Sequence, residues 1–194
     1  ECARELSSLR AQAASRLSSA VEEEIQRLGM PGGRFLIELR PQASVDPMPH
    51  GLEHVELLVS ANPGQPLKAL AKVASGGELS RISLAIQVIT AQTSRVPTLV
   101  FDEVDVGIGG PTAEIVGQLL RRLGERGQVL TVTHLPQVAA QCHQHLFVHK
   151  VRESDTTRTA VSKLSKKERI EEVARMLGGI DLTKESLAHA KKMV

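Results

Sequence analysis

Ala74-Ser75-Gly76-Gly77-Glu78-Leu79-Ser80-Arg81, then Thr98-Leu99-Val100-Phe101-Asp102-Glu103, then Thr131-Val132-Thr133-His134 are the stretches on which the reading of this chain turns. A Ser-Gly-Gly turn that opens a helix offers unpaired backbone N–H groups and the positive end of the helix dipole to a phosphate. An apolar strand ending in Asp-Glu can present one carboxylate to Mg²⁺ and another to water. A histidine at the end of a second apolar strand completes a phosphate site. Taken singly, each piece has a plain alternative: a helix N-cap, a solvated strand end, a structural hydrogen-bonder. Their order and spacing together favour phosphate chemistry. One absence matters equally, because the sequence contains no G-x-x-x-x-G-K-[ST] loop and not even a Gly-Lys pair. The β- and γ-phosphates of a nucleotide would have to be held by a loop from elsewhere.

Around these stretches the pattern is strand, helix, strand. Leu99 to Phe101 is continuously apolar, Pro111 starts a helix that runs to about Leu123, and Gly127 turns into Val129 to Val132. Two apolar strands separated by such a helix predict a βαβ crossover buried on both faces. Functional side chains should then lie at the C-terminal strand ends, where Asp102, Glu103 and His134 stand.

Upstream, Leu67 to Val73 leads into the Ser-Gly-Gly element and an apolar helix from about Glu78 to Thr93, after a turn cluster at Asn62 to Pro66. Arg34 to Arg40 and Leu52 to Ser60 alternate well enough to be strands, joined by the Pro-rich stretch Pro41 to Pro49 and expected to pair antiparallel. From Glu1 to Leu28 there is no Pro or Gly, and Leu6, Leu9, Ala13, Leu17, Val21, Ile25 and Leu28 recur at spacings of three or four. That is a helix with one apolar stripe. It could face the core, but its length and charged flanks favour the end of a coiled-coil arm whose partner strand lies outside the chain. Gly29 to Gly33 stops it, which places an arm end at residues 1–28 and a single lobe at residues 29–194. Downstream, Leu146 to Val151 reads as a strand, Arg152 to Thr159 as a polar turn and Ala160 to Leu164 as a short strand. Lys166 to Leu177 reads as an amphipathic helix ended by Gly178-Gly179.

Composition narrows the classes. At 194 residues and 41% apolar content the chain can build a real core, and three Phe with no Trp or Tyr make that core aliphatic. The same scarcity removes the aromatic platforms on which single-stranded nucleic acid rests. Lys plus Arg at 24 against Asp plus Glu at 22 gives a formal charge of +2, too balanced to announce a nucleic-acid or membrane surface. Cys2 and Cys142 stand far apart with no C-x-x-C pair, and no apolar run has membrane-spanning length. With no initiator Met and no leader pattern, the expectation is a cytoplasmic fragment that begins mid-protein, open to nucleoid association.

Val73-ASGGELSR-Ile82, Leu99-VFDEVDVGIGG-Pro111 and Thr131-VTHLPQVAA-Gln141 resemble the signature, Walker B and switch segments of ATP-binding cassette ATPases, within the SMC-like branch that carries long coiled-coil arms. Ala74 departs from the usual Leu, and Glu78 from the Gln common in transporters. The resemblance implies an α/β fold, the C-terminal lobe of a P-loop ATPase head with a mostly parallel sheet, flanking helices and the end of a coiled-coil arm. It implies that Ser75 and the amides of Gly76 and Gly77, with Glu78 beside them, bind the γ-phosphate of ATP held by a facing protomer. Asp102 would hold Mg²⁺ through water, Glu103 would orient and deprotonate the attacking water, and His134 would touch the γ-phosphate as the switch histidine. Asp105, in the Gly-rich run from Val104 to Gly110, would belong to the loop that crosses the dimer interface. The implied ligands are ATP and Mg²⁺. The implied partners are the N-terminal half of the same protein with its Walker A loop, a second identical head, and DNA, with no membrane. The implied role is recombinational repair of DNA double-strand breaks, in which ATP binding closes two heads and hydrolysis opens them. Without its phosphate loop the chain alone should be inactive. Two rivals keep the same residues: a transporter-type cassette, and a nucleotide-gated DNA clamp with little turnover.

Other constellations are weaker. Cys142, His143, His145 and His149 do not form a compact tetrahedral set on a strand. No G-x-S-x-G elbow supports a serine hydrolase. Lys166, Lys167 and Arg169 read as a solvated helix face in preference to a DNA patch.

Overall fold

The computed structural model describes residues 1–42, 49–91, 96–153, 156–178 and 182–194. It opens with helix α1 (Cys2–Arg27), followed by strands β1 (Arg34–Pro41), β2 (Glu53–Ser60) and β3 (Lys68–Ala69) and a short 3₁₀ turn (Leu70–Lys72). Helix α2 (Gly76–Thr90), strand β4 (Thr98–Phe101), helix α3 (Gly110–Gly124), strand β5 (Gln128–Thr131) and the short helix α4 (Pro136–Ala139) come next. The chain ends with strands β6 (Leu146–Glu153) and β7 (Thr156–Lys163) and helices α5 (Lys166–Gly178) and α6 (Lys184–Met193). Most of the Pro-rich link, the expected helix end at Thr93 and Gly179 fall outside the described residues.

The fold is α/β, with one parallel pair and two antiparallel sheets. β1, β2 and β3 form an antiparallel sheet in that order, β4 and β5 pair in parallel with Phe101 opposite Thr131, and β6 and β7 form a hairpin. α1 ends as its sequence predicts: Gly29 adopts φ +84 and the Met30 N–H reaches back to the Ile25 carbonyl at 3.3 Å, the closing bond of a Schellman motif. Val21, Ile25 and Leu28 join the main core with Phe35, Ile82, Leu84, Phe101 and Val116, while Leu6 and Leu9 at the start of the helix are exposed.

α1 also closes the free edge of β1. The Ile37 N–H donates to Ser18 Oγ at 2.9 Å, the Phe35 N–H to Glu22 Oε2 at 3.0 Å, and Gln26 Nε2 donates to the Gly33 carbonyl at 3.0 Å. Side chains four residues apart on one helix face thereby satisfy strand-edge groups that would otherwise invite a foreign strand.

Three expectations change. α2 begins at Gly76, two residues earlier than its apolar periodicity suggests, because Ser75 caps it. The parallel pair is covered on one face only: Phe101 is buried against the helices, whereas Val100 and Val132 are 67% and 63% exposed. The polar turn expected from Arg152 to Thr159 is largely strand, since Thr157 and Thr159 are β-branched and lie opposite Arg152 and Lys150 in the hairpin. Among the described residues no helix is long and apolar enough to cross a membrane.

Candidate active site

Two strand ends and one helix start meet at the C-terminal edge of the parallel pair. Ser75, in extended conformation, is the N-cap of α2, and its hydroxyl oxygen accepts the Glu78 N–H at 3.3 Å. Gly76 and Gly77 form the first turn, whose amides have no acceptor within the helix. Gly77 is buried because α2 passes close to Val106: a Cβ there would lie 3.1 Å from the Val106 carbonyl oxygen and 3.2 Å from Arg81 Nη1. Only glycine fits that approach without displacement.

β4 delivers Asp102 and Glu103 to the surface just beyond the buried Phe101. Asp102 Oδ1 accepts the Glu103 N–H at 2.9 Å. Glu103 has φ +57, and among the described residues it is the one non-glycine with positive φ. Left-handed backbone at a side chain of this size is locally strained, and here it turns the carboxylate toward the start of α2, against Gly76.

Asp105 is 2% exposed and spends its carboxylate within the chain. Oδ2 accepts from the Thr133 hydroxyl in a short hydrogen bond and from the His134 N–H at 3.2 Å, and it lies 3.5 Å from His134 Nδ1. The ring of His134 is solvent-exposed. Thr133 Oγ1 in turn accepts the Leu135 N–H at 3.0 Å, so the turn after β5 is fixed on both sides of the histidine.

α2 grips the same loop. Ser80 Oγ donates to the Asp102 carbonyl at 2.7 Å, and Arg81 Nη1 donates to the Val106 carbonyl at 2.6 Å. Ser75, Gly76, Gly77, Glu78, Asp102, Glu103, Asp105 and His134 thus lie on three segments joined through one loop. Sequence reasoning missed Ser80, Arg81 and Thr133. The signal for Arg81 was available: positions 77, 81, 84 and 85 share the buried face of α2, and a lone cation among Gly, Leu and Ala there demands a partner. Burial holds the Arg81 guanidinium below its ordinary range, a shift that Glu78 opposes.

Among the described residues no group of three or more His, Cys, Asp or Glu side chains converges on a metal position. His143 and His145 precede β6; His145, Phe147 and His149 are half-buried, with the rings of Phe147 and His149 stacked at 5.4 Å. Arg169 is not a solvated cation: its Nη2 donates to the Ala140 carbonyl at 2.6 Å, closing the C-terminal end of α4.

No family model matches the chain. It is 52% identical over 194 residues to a DNA repair protein RecN of Xylella fastidiosa (strain 9a5c), covering all of this chain and 35% of that protein. It is 54% identical over 181 residues to the DNA repair protein RecN of Vibrio cholerae, covering 93% of this chain and 32% of that protein. The chain therefore spans about a third of the length of the curated relatives it matches, in their C-terminal part. In fold it is similar to the Smc head domain with a coiled coil and joint from Pyrococcus yayanosii, with a TM-score of 0.59, 20% identity and coverage of 85% of this chain and 29% of that one.

Proposed function

Because this chain belongs to the RecN family of DNA repair proteins, as the C-terminal region of such a protein, we propose that it is the lobe of an ATP-hydrolysing head that receives a second head's nucleotide. The observation that carries the reading is the single loop, Asp102 to Val106, to which the Ser75 helix and the His134 turn are both hydrogen-bonded. Phosphoryl transfer asks a protein chiefly for alignment and charge stabilisation, and a shared loop supplies alignment.

In this reading each side chain has one task. Ser75 keeps its hydroxyl proton for a γ-phosphate oxygen while its own oxygen caps α2, and the Gly76 and Gly77 amides complete the cradle. His134 meets the γ-phosphate of the nucleotide held by its own head, with its backbone fixed by Asp105. Glu103 takes the proton of the attacking water. Asp102 fits a Mg²⁺ site: it offers one exposed carboxylate, and Mg²⁺ typically takes one or two protein carboxylates and fills its remaining positions with water and phosphate oxygens. When bound there, Mg²⁺ neutralises charge on the β- and γ-phosphates.

The phosphate loop and the rest of the sheet would come from the preceding region of the protein. Val100, Leu130 and Val132, exposed on one face of the parallel pair, support that placement, since monomeric proteins seldom leave such rows uncovered. Leu6 and Leu9, exposed at the start of α1, support a coiled-coil arm that leads into the head and whose last turns, through Val21, Ile25 and Leu28, seat on the lobe that continues from Gly29. DNA would engage the assembled protein in recombinational break repair, with ATP closing two heads and hydrolysis parting them. The test is co-expression of this chain with the preceding region, followed by ATPase assays with and without DNA. Turnover only when both parts are present is expected; a folded, co-purified complex that hydrolyses no ATP would overturn the reading.

A further inference from the structure

Arg81 belongs to none of the roles above, yet its placement is costly. It is 6% exposed, it makes one short hydrogen bond to the Val106 carbonyl, and its Nε has no hydrogen-bond partner. A buried guanidinium with a donor unmet does not serve stability well, because an apolar side chain of similar volume would fill the same space without the desolvation penalty. Its hydrogen bond instead ties α2 to the segment that follows β4.

What it holds is the loop that carries Asp105. Arg81 fixes Val106 from the α2 side, and the adjacent Asp105 fixes Thr133 and the backbone of His134 from the other. The result is a continuous strut: Ser75 turn, α2, Arg81, Val106, Asp105, His134. Gly77 lets α2 come close enough for it to form.

We propose that Arg81 is a positioning residue that, through the Val106 carbonyl and the buried carboxylate of Asp105, makes the Ser75 turn and His134 move as one rigid unit. A displacement of the Ser75 turn by a phosphate from the facing head is then transmitted to the histidine on the chain's own nucleotide, and a loosened loop misplaces both. The proposal rests on the ATPase reading for its consequence, but the strut itself does not.

The test uses the full-length protein with Arg81→Met, which fills the volume of the side chain without its charge, and Arg81→Lys. Two readouts are taken: amide hydrogen exchange along the chain, and steady-state ATPase kinetics. Arg81→Met should speed exchange at Val106 and His134 while α5 and α6 stay at the parent rate. It should lower kcat about tenfold with KM for ATP within about twofold, the pattern of lost alignment with intact nucleotide binding. Arg81→Lys should recover part of both effects. Unchanged exchange at His134 overturns the strut. Exchange raised uniformly across the chain also overturns it, since Arg81 would then be merely structural, and so does faster exchange at His134 with unchanged kcat in an active protein. If the parent protein itself hydrolyses no ATP, the ATPase reading fails, and exchange at His134 still decides the strut.

Discussion

Gly76 and Glu103 lie so close that no side chain fits between them: a Cβ built on Gly76 would overlap Oε2 of Glu103. The proposed base thus rests on the first turn of the helix proposed to receive a γ-phosphate. Gly76→Ala should leave the fold intact, because Gly76 has no positive φ and alanine is the better helix former. It should nonetheless lower ATP turnover of the full protein by about tenfold, by forcing Glu103 aside. An unchanged melting temperature with reduced kcat is the expected pair of measurements; parent-level kcat would show that this contact plays no part.

Glu103→Gln is near-isosteric but cannot take a proton. In the full protein it should retain ATP binding and slow hydrolysis by about a hundredfold or more, so that ATP-dependent dimers accumulate in light scattering. Hydrolysis at the parent rate would remove Glu103 from the role of base.

Asp102→Asn should act on the metal and leave the proton step alone. The Mg²⁺ concentration for half-maximal activity should rise about several-fold, as expected from losing one charged oxygen that holds the ion through its water shell. A superimposable Mg²⁺ titration would exclude Asp102 from the site.

The elements that sequence makes legible are those with local causes. α1 stops where Gly29 and Pro31 demand it, β4 and β5 follow from short apolar runs, and the C-terminal strand ends carry the acids and the histidine. What was not legible depends on packing between segments. The lone charged residue on the buried face of α2 reveals its purpose only when Val106 is seen beneath it, 25 residues away in the chain. The covered and bare faces of the parallel pair read alike, because Leu99 and Val100 are equally apolar and only tertiary context separates them. α6 carried a capping box between Thr183 and Ser186, a polar signal that apolar periodicity overlooks. The turn expected near Thr157 is strand for the opposite reason: its polarity reads as irregular structure, whereas β-branching favours the strand.

His145 gives the fold a dependence on pH that is separate from catalysis. Burial lowers its pKa below the ordinary 6.5, Glu172 opposes the shift and Arg169 adds to it. The native state therefore disfavours the protonated ring, whereas the unfolded chain accepts a proton below about pH 6.5. Stability from this group is present above that pH and is lost as acid protonates the unfolded state. The urea midpoint should thus fall from pH 7.5 to pH 5.5 by more in the parent than in His145→Gln, which carries no titrating group at this site. Equal falls in the two proteins would show that His145 is not a source of the acid sensitivity.

Ser75 offers the most discriminating test, because it should serve the partner's nucleotide and not its own. Ser75→Arg in the full protein would fill the space intended for the opposing γ-phosphate, so each head should bind ATP through its own phosphate loop while closure of the dimer is lost. A variant lacking the phosphate-loop lysine, in the preceding region, should fail for the complementary reason. In a mixed dimer of the two, one composite site carries both defects and the other carries neither. If the two sites turn over independently, the mixture regains part of the activity that each variant lacks alone. If the strut through Arg81 and Asp105 makes turnover at one site wait on the other, activity stays low, but ATP-dependent dimers still form in the mixture and not in either variant alone. Both outcomes place Ser75 opposite the partner's nucleotide. Loss of ATP binding to a monomeric, folded Ser75→Arg head would place it in that head's own pocket and refute the assignment.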